Sequence, residues 1–175
     1  QQEIFELVRT ERCARDRCDW NALADAYLED SRVRTTWFEG SGRDFAEQSR
    51  MMAVNGRHSK HPIWPIYATV VQDRALVESY SQIQNRSVID DVEVDMVQYC
   101  RFFSQVVRTP YGWKLASFEA IYQKDTICAT DPGTAVPIDW DELSGLRSYY
   151  RIWAWAMAKR GYEVNQELLG DDRPD

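Results

Sequence analysis

Side chains able to move protons near neutral pH are scarce in this chain. Its only two histidines are His58 and His61, three residues apart. An imidazole can serve as base, acid or metal ligand, so one of these two is the first candidate for chemistry. Cys13, Cys18, Cys100 and Cys128 form no Cys-x-x-Cys pair and no ladder of spacings. Neither a zinc site nor a disulfide framework is expected of them, and reduced, mostly buried thiols are. With two histidines a metal would have to rest mainly on carboxylates, and none is expected. Arg101 stands among Tyr99, Phe102 and Phe103. Pointing inward, it would need an anionic partner and could hold a carboxylate or an enolate oxygen; pointing outward, it would pair with a cross-strand acid. Trp37, Phe38, Trp64, Tyr99 and Tyr122 are candidates for an apolar wall, because 7 Trp, 9 Tyr and 6 Phe exceed what the length requires.

These residues must be positioned by regular elements. Ile4, Leu7 and Val8 recur at helical spacing. A second helical run opens at Asp19, a plausible N-cap, with Trp20, Leu23 and Tyr27 on one face. Asp16 falls at the junction of the two. Ser31 to Trp37 reads as a strand, broken by Gly40, Ser41 and Gly42 before a third helix with Phe45, Ser49 and Met52 on its stripe. Asn55-Gly56 ends that helix, which leaves His58 in a loop and His61 at the head of an apolar run.

Four strands are then expected at 63–72, 75–86, 92–108 and 113–124, rich in β-branched and aromatic residues. The breaks between them are short enough for hairpins. Asp131 to Pro137 reads as a linker and Asp139 to Arg160 as one helix, whose Tyr150 and Trp155 fall off the main stripe and call for a second surface. That surface is either the mouth of the fold or another subunit. The expectation is an α+β domain over residues 1–130, with residues 131–175 a helical extension of the same domain.

Composition narrows the classes of function. A length of 175 residues suits one core, and a formal charge of −7 with no basic run disfavours nucleic acid. No stretch is apolar enough for a membrane helix, and the start lacks a secretion-signal pattern. A soluble, cytoplasmic protein acting on a small molecule is expected.

The segment Arg15-Asp16-Arg17-Cys18-Asp19-Trp20, followed by Leu23, resembles the first active-site segment of scytalone dehydratase and the related SnoaL-like proteins of the nuclear-transport-factor-two-like superfamily. Ser59-Lys60-His61-Pro62-Ile63 resembles their second, a His at the start of a strand. Tyr111-Gly112-Trp113-Lys114-Leu115 is similar to their Gly-x-Trp-Lys hairpin. The resemblance spans roughly residues 1–125. The tail, Leu169-Gly170-Asp171-Asp172-Arg173-Pro174, looks like an extension found in one bacterial branch.

This resemblance implies a cone-shaped α+β barrel with an Asp16–His61 dyad at its closed end. His61 would be the base and Asp16 its orienter; His58 is the rival. The implied chemistry is a lyase reaction, dehydration or another elimination, with isomerisation or cyclisation as the nearest alternative, on a small cyclic or polyketide-like substrate. It needs neither metal nor organic cofactor. The residues read above as candidates for substrate contact are Trp37, Trp64, Tyr99, Arg101 and Tyr122. A homo-oligomer, trimer or dimer, is also implied. A non-catalytic binding or assembly module, such as the small subunit of a ring-hydroxylating oxygenase, is the alternative on the same fold. This sequence departs from the dehydratase pattern where Arg15 replaces a Tyr, Thr35 falls near a second Tyr, and Gln84, Asn85 and Arg86 lie near another His. It is closer to the single dyad of lindane dehydrochlorinase or of polyketide cyclases.

Overall fold

The computed structural model describes residues 1–173. Helix α1 (Gln2–Asp16) and helix α2 (Trp20–Asp25) open the chain, followed by strands β1 (Tyr27–Arg34) and β2 (Glu39–Gly40). Helix α3 (Gly42–Val54), the short strand β3 (Ser59–Lys60) and four long strands complete the body: β4 (Ile63–Val71), β5 (Arg74–Ile89), β6 (Val92–Thr109) and β7 (Gly112–Ala129). Two short helices follow, α4 (Trp140–Ser144) and α5 (Arg151–Ala158). One curved, unclosed sheet runs in the order β2-β1-β7-β6-β5-β3, with β4 also on β5. All pairings are antiparallel except β1 with β7.

Local chemistry explains the elements. Asp19 caps α2 by accepting from the Ala22 N–H at 3.1 Å, and Ser41 caps α3 by accepting from Asp44 at the same distance. The hairpin between β5 and β6 is a two-residue turn in which Asp90 and Asp91 both take positive φ, 46° and 65°, as a type I′ turn requires. Gly112, at φ 108°, opens β7 in a region that side-chain-bearing residues avoid. Alternation of buried and outward residues is most regular on β6. Along β6, Val94, Met96, Gln98, Cys100, Phe102, Ser104 and Val106 point inward and are buried.

Differences from the expected elements have physical causes. Tyr27 belongs to β1, not to the second helix: its ring packs against Gly42, where an added Cβ would come within 2.1 Å, and its hydroxyl donates to Glu11 at 2.8 Å. The single helix expected over 139–160 is two, because Gly145 ends α4 and residues 146–150 turn before α5 begins. Tyr150, Trp153 and Trp155 are buried within the chain rather than left for a partner. The expectation of mostly buried thiols also fails: Cys13, Cys18 and Cys128 are exposed, and only Cys100 is buried. Outward-facing Trp64, Tyr67, Val71, Leu76 and Tyr80 of β4 and β5 carry much of the exposed apolar surface. Among the described residues no helix is long and apolar enough to cross a membrane.

Helix α1 buries charge as well as apolar surface. Ile4, Val8, Glu11 and Arg12 share its inward stripe. Arg12 donates through Nε to Glu11 at 2.7 Å and its guanidinium lies 4.6 Å from the Phe118 ring centroid, with Phe102 and Phe45 also near. Both side chains are almost fully buried. Removing one partner strands the other charge in the core. Glu11→Gln is therefore expected to lower unfolding stability by about 3–5 kcal/mol in urea titrations; a loss below about 1 kcal/mol would contradict the buried pair.

Candidate active site

Asp16 is the last residue of α1, a position where the helix dipole disfavours a carboxylate. It is held there by donors from the β3–β4 junction. His61-Pro62 separates β3 from β4 without a register shift against β5: Pro62 has no N–H to offer the ladder, but its carbonyl accepts from the Gln82 N–H at 3.2 Å. The backbone N–H of His61, which points away from β5, donates to Asp16 Oδ2 at 2.6 Å, and His61 Nδ1 lies 2.5 Å from Asp16 Oδ1. Lys60 Nζ donates to the Asp16 carbonyl at 2.5 Å. Downstream, the Pro62 carbonyl accepts from the Ser81 hydroxyl at 3.0 Å, which fixes the far side of the break.

With Asp16 accepting, the proton of neutral His61 belongs on Nδ1 and the Nε2 lone pair is left toward the interior. Arg15 stands opposite, its terminal nitrogen 3.4 Å from Nε2. His61 is buried, at 7% exposure. Burial, then the Arg15 charge, push its pKa down to about 3, outweighing the Asp16 bond that raises it. Burial pulls Asp16 upward, but the bonds from His61 prevail and hold its carboxyl below the ordinary value. The pair is thus a carboxylate and a neutral imidazole. Asp16 orients the ring, and the basicity it would confer is cancelled by burial and by a neighbouring cation.

The cavity in front of Nε2 is lined by Arg15, Trp37, Phe102, Tyr122 and Trp153 among others, and its free space is about 30 Å³, room for about two waters. Tyr122 is fully buried and its hydroxyl accepts from the Thr36 N–H at 3.2 Å. Trp153 forms the roof, its indole donating to Thr36 Oγ1 at 2.9 Å and its backbone N–H to Asp125 at 2.8 Å. Met52, Ser59 and Trp153 form the partition between this cavity and an outer groove of about 350 Å³ that also contains Arg57, His58 and Arg160.

Trp37 and Tyr122 are brought to the dyad; Trp64, Tyr99 and Arg101 are not. Alternation decides each case. Arg101 and Tyr99 occupy the outward positions of β6, Arg101 pairing with Glu78 at 2.7 Å and Asp171 at 3.3 Å, Tyr99 stacking under Lys124 at 4.8 Å. Trp64 lies on the outer face of β4, 53% exposed and opposite Tyr80. His58 is an exposed loop residue in the groove wall. Arg15 and Trp153 were missed as wall residues. Arg15 continues the inward stripe Ile4, Val8, Glu11/Arg12 by one more turn, a signal present in the sequence.

The sequence profile of the SnoaL-like domain matches residues 1–119. The chain belongs to the SnoaL-like family. An uncharacterised protein of Emericella nidulans is 28% identical over 180 residues, covering 98% of this chain and 76% of that protein. One from Aspergillus terreus is 25% identical over 189 residues, covering 98% and 70%. These fungal alignments take in nearly all of the C-terminal extension, so the tail is not confined to a bacterial branch; its Pro174 lies outside the described residues. Among solved structures, a protein provisionally assigned as a scytalone dehydratase from Novosphingobium aromaticivorans superposes with TM-score 0.60 at 21% identity, covering 77% of this chain and 94% of that one. A hexachlorocyclohexane dehydrochlorinase gives 0.63 at 14%, covering 78% and 93%. These likenesses establish the fold, an open cone of the nuclear-transport-factor-two-like type.

The low His61 pKa has a signed consequence. Between pH 6.5 and about 3 the unfolded chain binds a proton at this residue that the folded chain refuses. Stability therefore falls as the pH drops through that window, by up to about 1.4 kcal/mol per pH unit, and the depressed Asp16 adds a loss of the same sign at its acid end. Urea midpoints measured from pH 7 to 4 are expected to fall less steeply in His61→Gln than in the native protein; parallel curves would refute the buried neutral imidazole.

Proposed function

We propose that this protein is a cofactor-independent lyase that removes a proton from carbon with His61 Nε2, Asp16 holding the ring, and expels a leaving group from a small cyclic or polyketide-like substrate. The observation that carries this reading is the double acceptance by Asp16, which sets the tautomer and leaves one unprotonated ring nitrogen facing a narrow, largely apolar cavity. Base-led elimination needs an oriented base whose free lone pair faces the substrate carbon. Membership of the SnoaL-like family supports the class. So does the likeness in fold to a protein provisionally assigned as a scytalone dehydratase and to a hexachlorocyclohexane dehydrochlorinase.

The free space of about 30 Å³ is too small for a ring compound as it stands. In this reading substrate enters from the outer groove by displacing the Met52 and Trp153 side chains, α5 acting as a roof that opens. The same small volume favours a second reading, a non-catalytic binding or assembly module in which the cavity is ordinary core. The two differ in one outcome. Against a panel of hydroxylated and halogenated ring compounds, His61→Ala and Asp16→Asn are each expected to lower kcat/KM by about 10²–10⁴-fold. Turnover unchanged in both variants, or absent in the native protein across the panel, would leave the module reading standing.

A further inference from the structure

Among the described residues, Arg15 is a cation at the cavity wall whose bonding capacity is not spent. One turn earlier Arg12 is neutralised by Glu11, through Nε and a second guanidinium nitrogen. Arg15 has no carboxylate within ion-pair distance among the described residues, and its Nε is sealed from solvent without any hydrogen-bond partner. Its remaining directed contact is the 3.4 Å approach to His61 Nε2. The guanidinium lies 5.6 Å from the Phe45 ring centroid and 6.0 Å from that of Trp37, so the planar group is propped at the cavity wall by aromatic faces rather than by acids. Burial, then the charge of Arg12, pull its pKa down to about 10, which still leaves it charged at neutral pH. A buried guanidinium with donors left over is costly unless something anionic arrives to use them.

Charge bookkeeping at Nε2 says when it arrives. If His61 takes a proton with the cavity otherwise empty, two cations face each other at hydrogen-bonding distance. The step becomes favourable when a negative oxygen forms beside Arg15 in the same event. We infer that Arg15 is the oxyanion-binding residue of this site, and that the ligand it takes carries an oxygen, resident as carboxylate or formed as enolate, conjugated to the carbon facing His61. In the enolate case the C–H bond breaks, its electrons form C=C, and the carbonyl electrons move onto the oxygen held by Arg15 while Nε2–H forms. In an elimination the carbonyl then re-forms, the C–O bond to a β-hydroxyl breaks, and His61 returns the proton to give water; atoms and electrons balance without an oxidant. This step rests on the lyase reading, whereas the affinity for an oxyanion does not.

Two probes separate the sources of charge: 4-nitrophenol, whose ring-conjugated phenolate resembles an enolate, and benzoate, which carries a resident carboxylate. Binding is followed on the full chain by the phenolate absorbance and by competition with benzoate. The native protein is expected to bind phenolate about 10- to 100-fold more tightly than the neutral phenol, the size of one charge-assisted interaction. Arg15→Gln is expected to lose that preference, and Arg15→Lys to recover part of it. Displacement of the phenolate by benzoate assigns a resident carboxylate; phenolate binding that benzoate does not challenge assigns the enolate case. Equal phenolate preference in native protein and Arg15→Gln, or no binding of either probe to the native protein, overturns the inference. His61→Ala keeps the phenolate preference if Arg15 alone supplies it, so an inactive lyase hypothesis and a failed oxyanion site give different results.

Discussion

The Asp16 carboxylate, gripping His61 through both a ring nitrogen and the backbone amide, is the contact on which the site depends. It ties the end of the first helix to a two-residue gap between β3 and β4, and each side explains the other. Pro62 offers no N–H to β5 but its carbonyl still accepts from the Gln82 N–H at 3.2 Å, and the neighbouring His61 N–H, pointing away from β5 by strand alternation, finds its acceptor in Asp16. The carboxylate, badly placed at a helix C-terminus, is retained because three donors from Lys60 and His61 converge on that residue. Losing the acid would therefore free the ring and also leave a buried amide without a partner.

Around this contact the interior is charged in an ordered way. Glu11 neutralises Arg12 inside an aromatic enclosure, and the Tyr27 hydroxyl completes the acid's bonding. Arg15 extends the same helical stripe to the cavity and meets the lone pair of His61 instead of an acid. The imidazole is kept neutral by its setting, burial and the Arg15 charge outweighing the Asp16 bond.

The long strands and their turns were legible in the sequence because period-two alternation and the Asp90-Asp91 and Gly112 positions are local signals. Asp16 and His61 were legible as a pair only through family likeness, since residues 45 apart meet by tertiary folding. Other parts were not legible for identifiable reasons. The parity of β6 could not be read, because Tyr99 and Phe103 on its outer face are as aromatic as Phe102 on its inner one, and Arg101 was accordingly left open between the two sides. Tyr27 is fixed by contacts with Gly42 and Glu11, and the start of α5 by Asp125, all distant in the chain. Arg15 was visible as a departure from the dehydratase pattern, but its role required seeing that Arg12 is already paired and Arg15 is not.

The protonation state of His61 tests the central claim most directly. Nitrogen-15 spectra of the imidazole at neutral pH, with His58→Gln used to assign the signal, should show a neutral ring carrying its proton on Nδ1 and an unprotonated Nε2. A ring protonated on Nε2, or an imidazolium at that pH, would contradict the account.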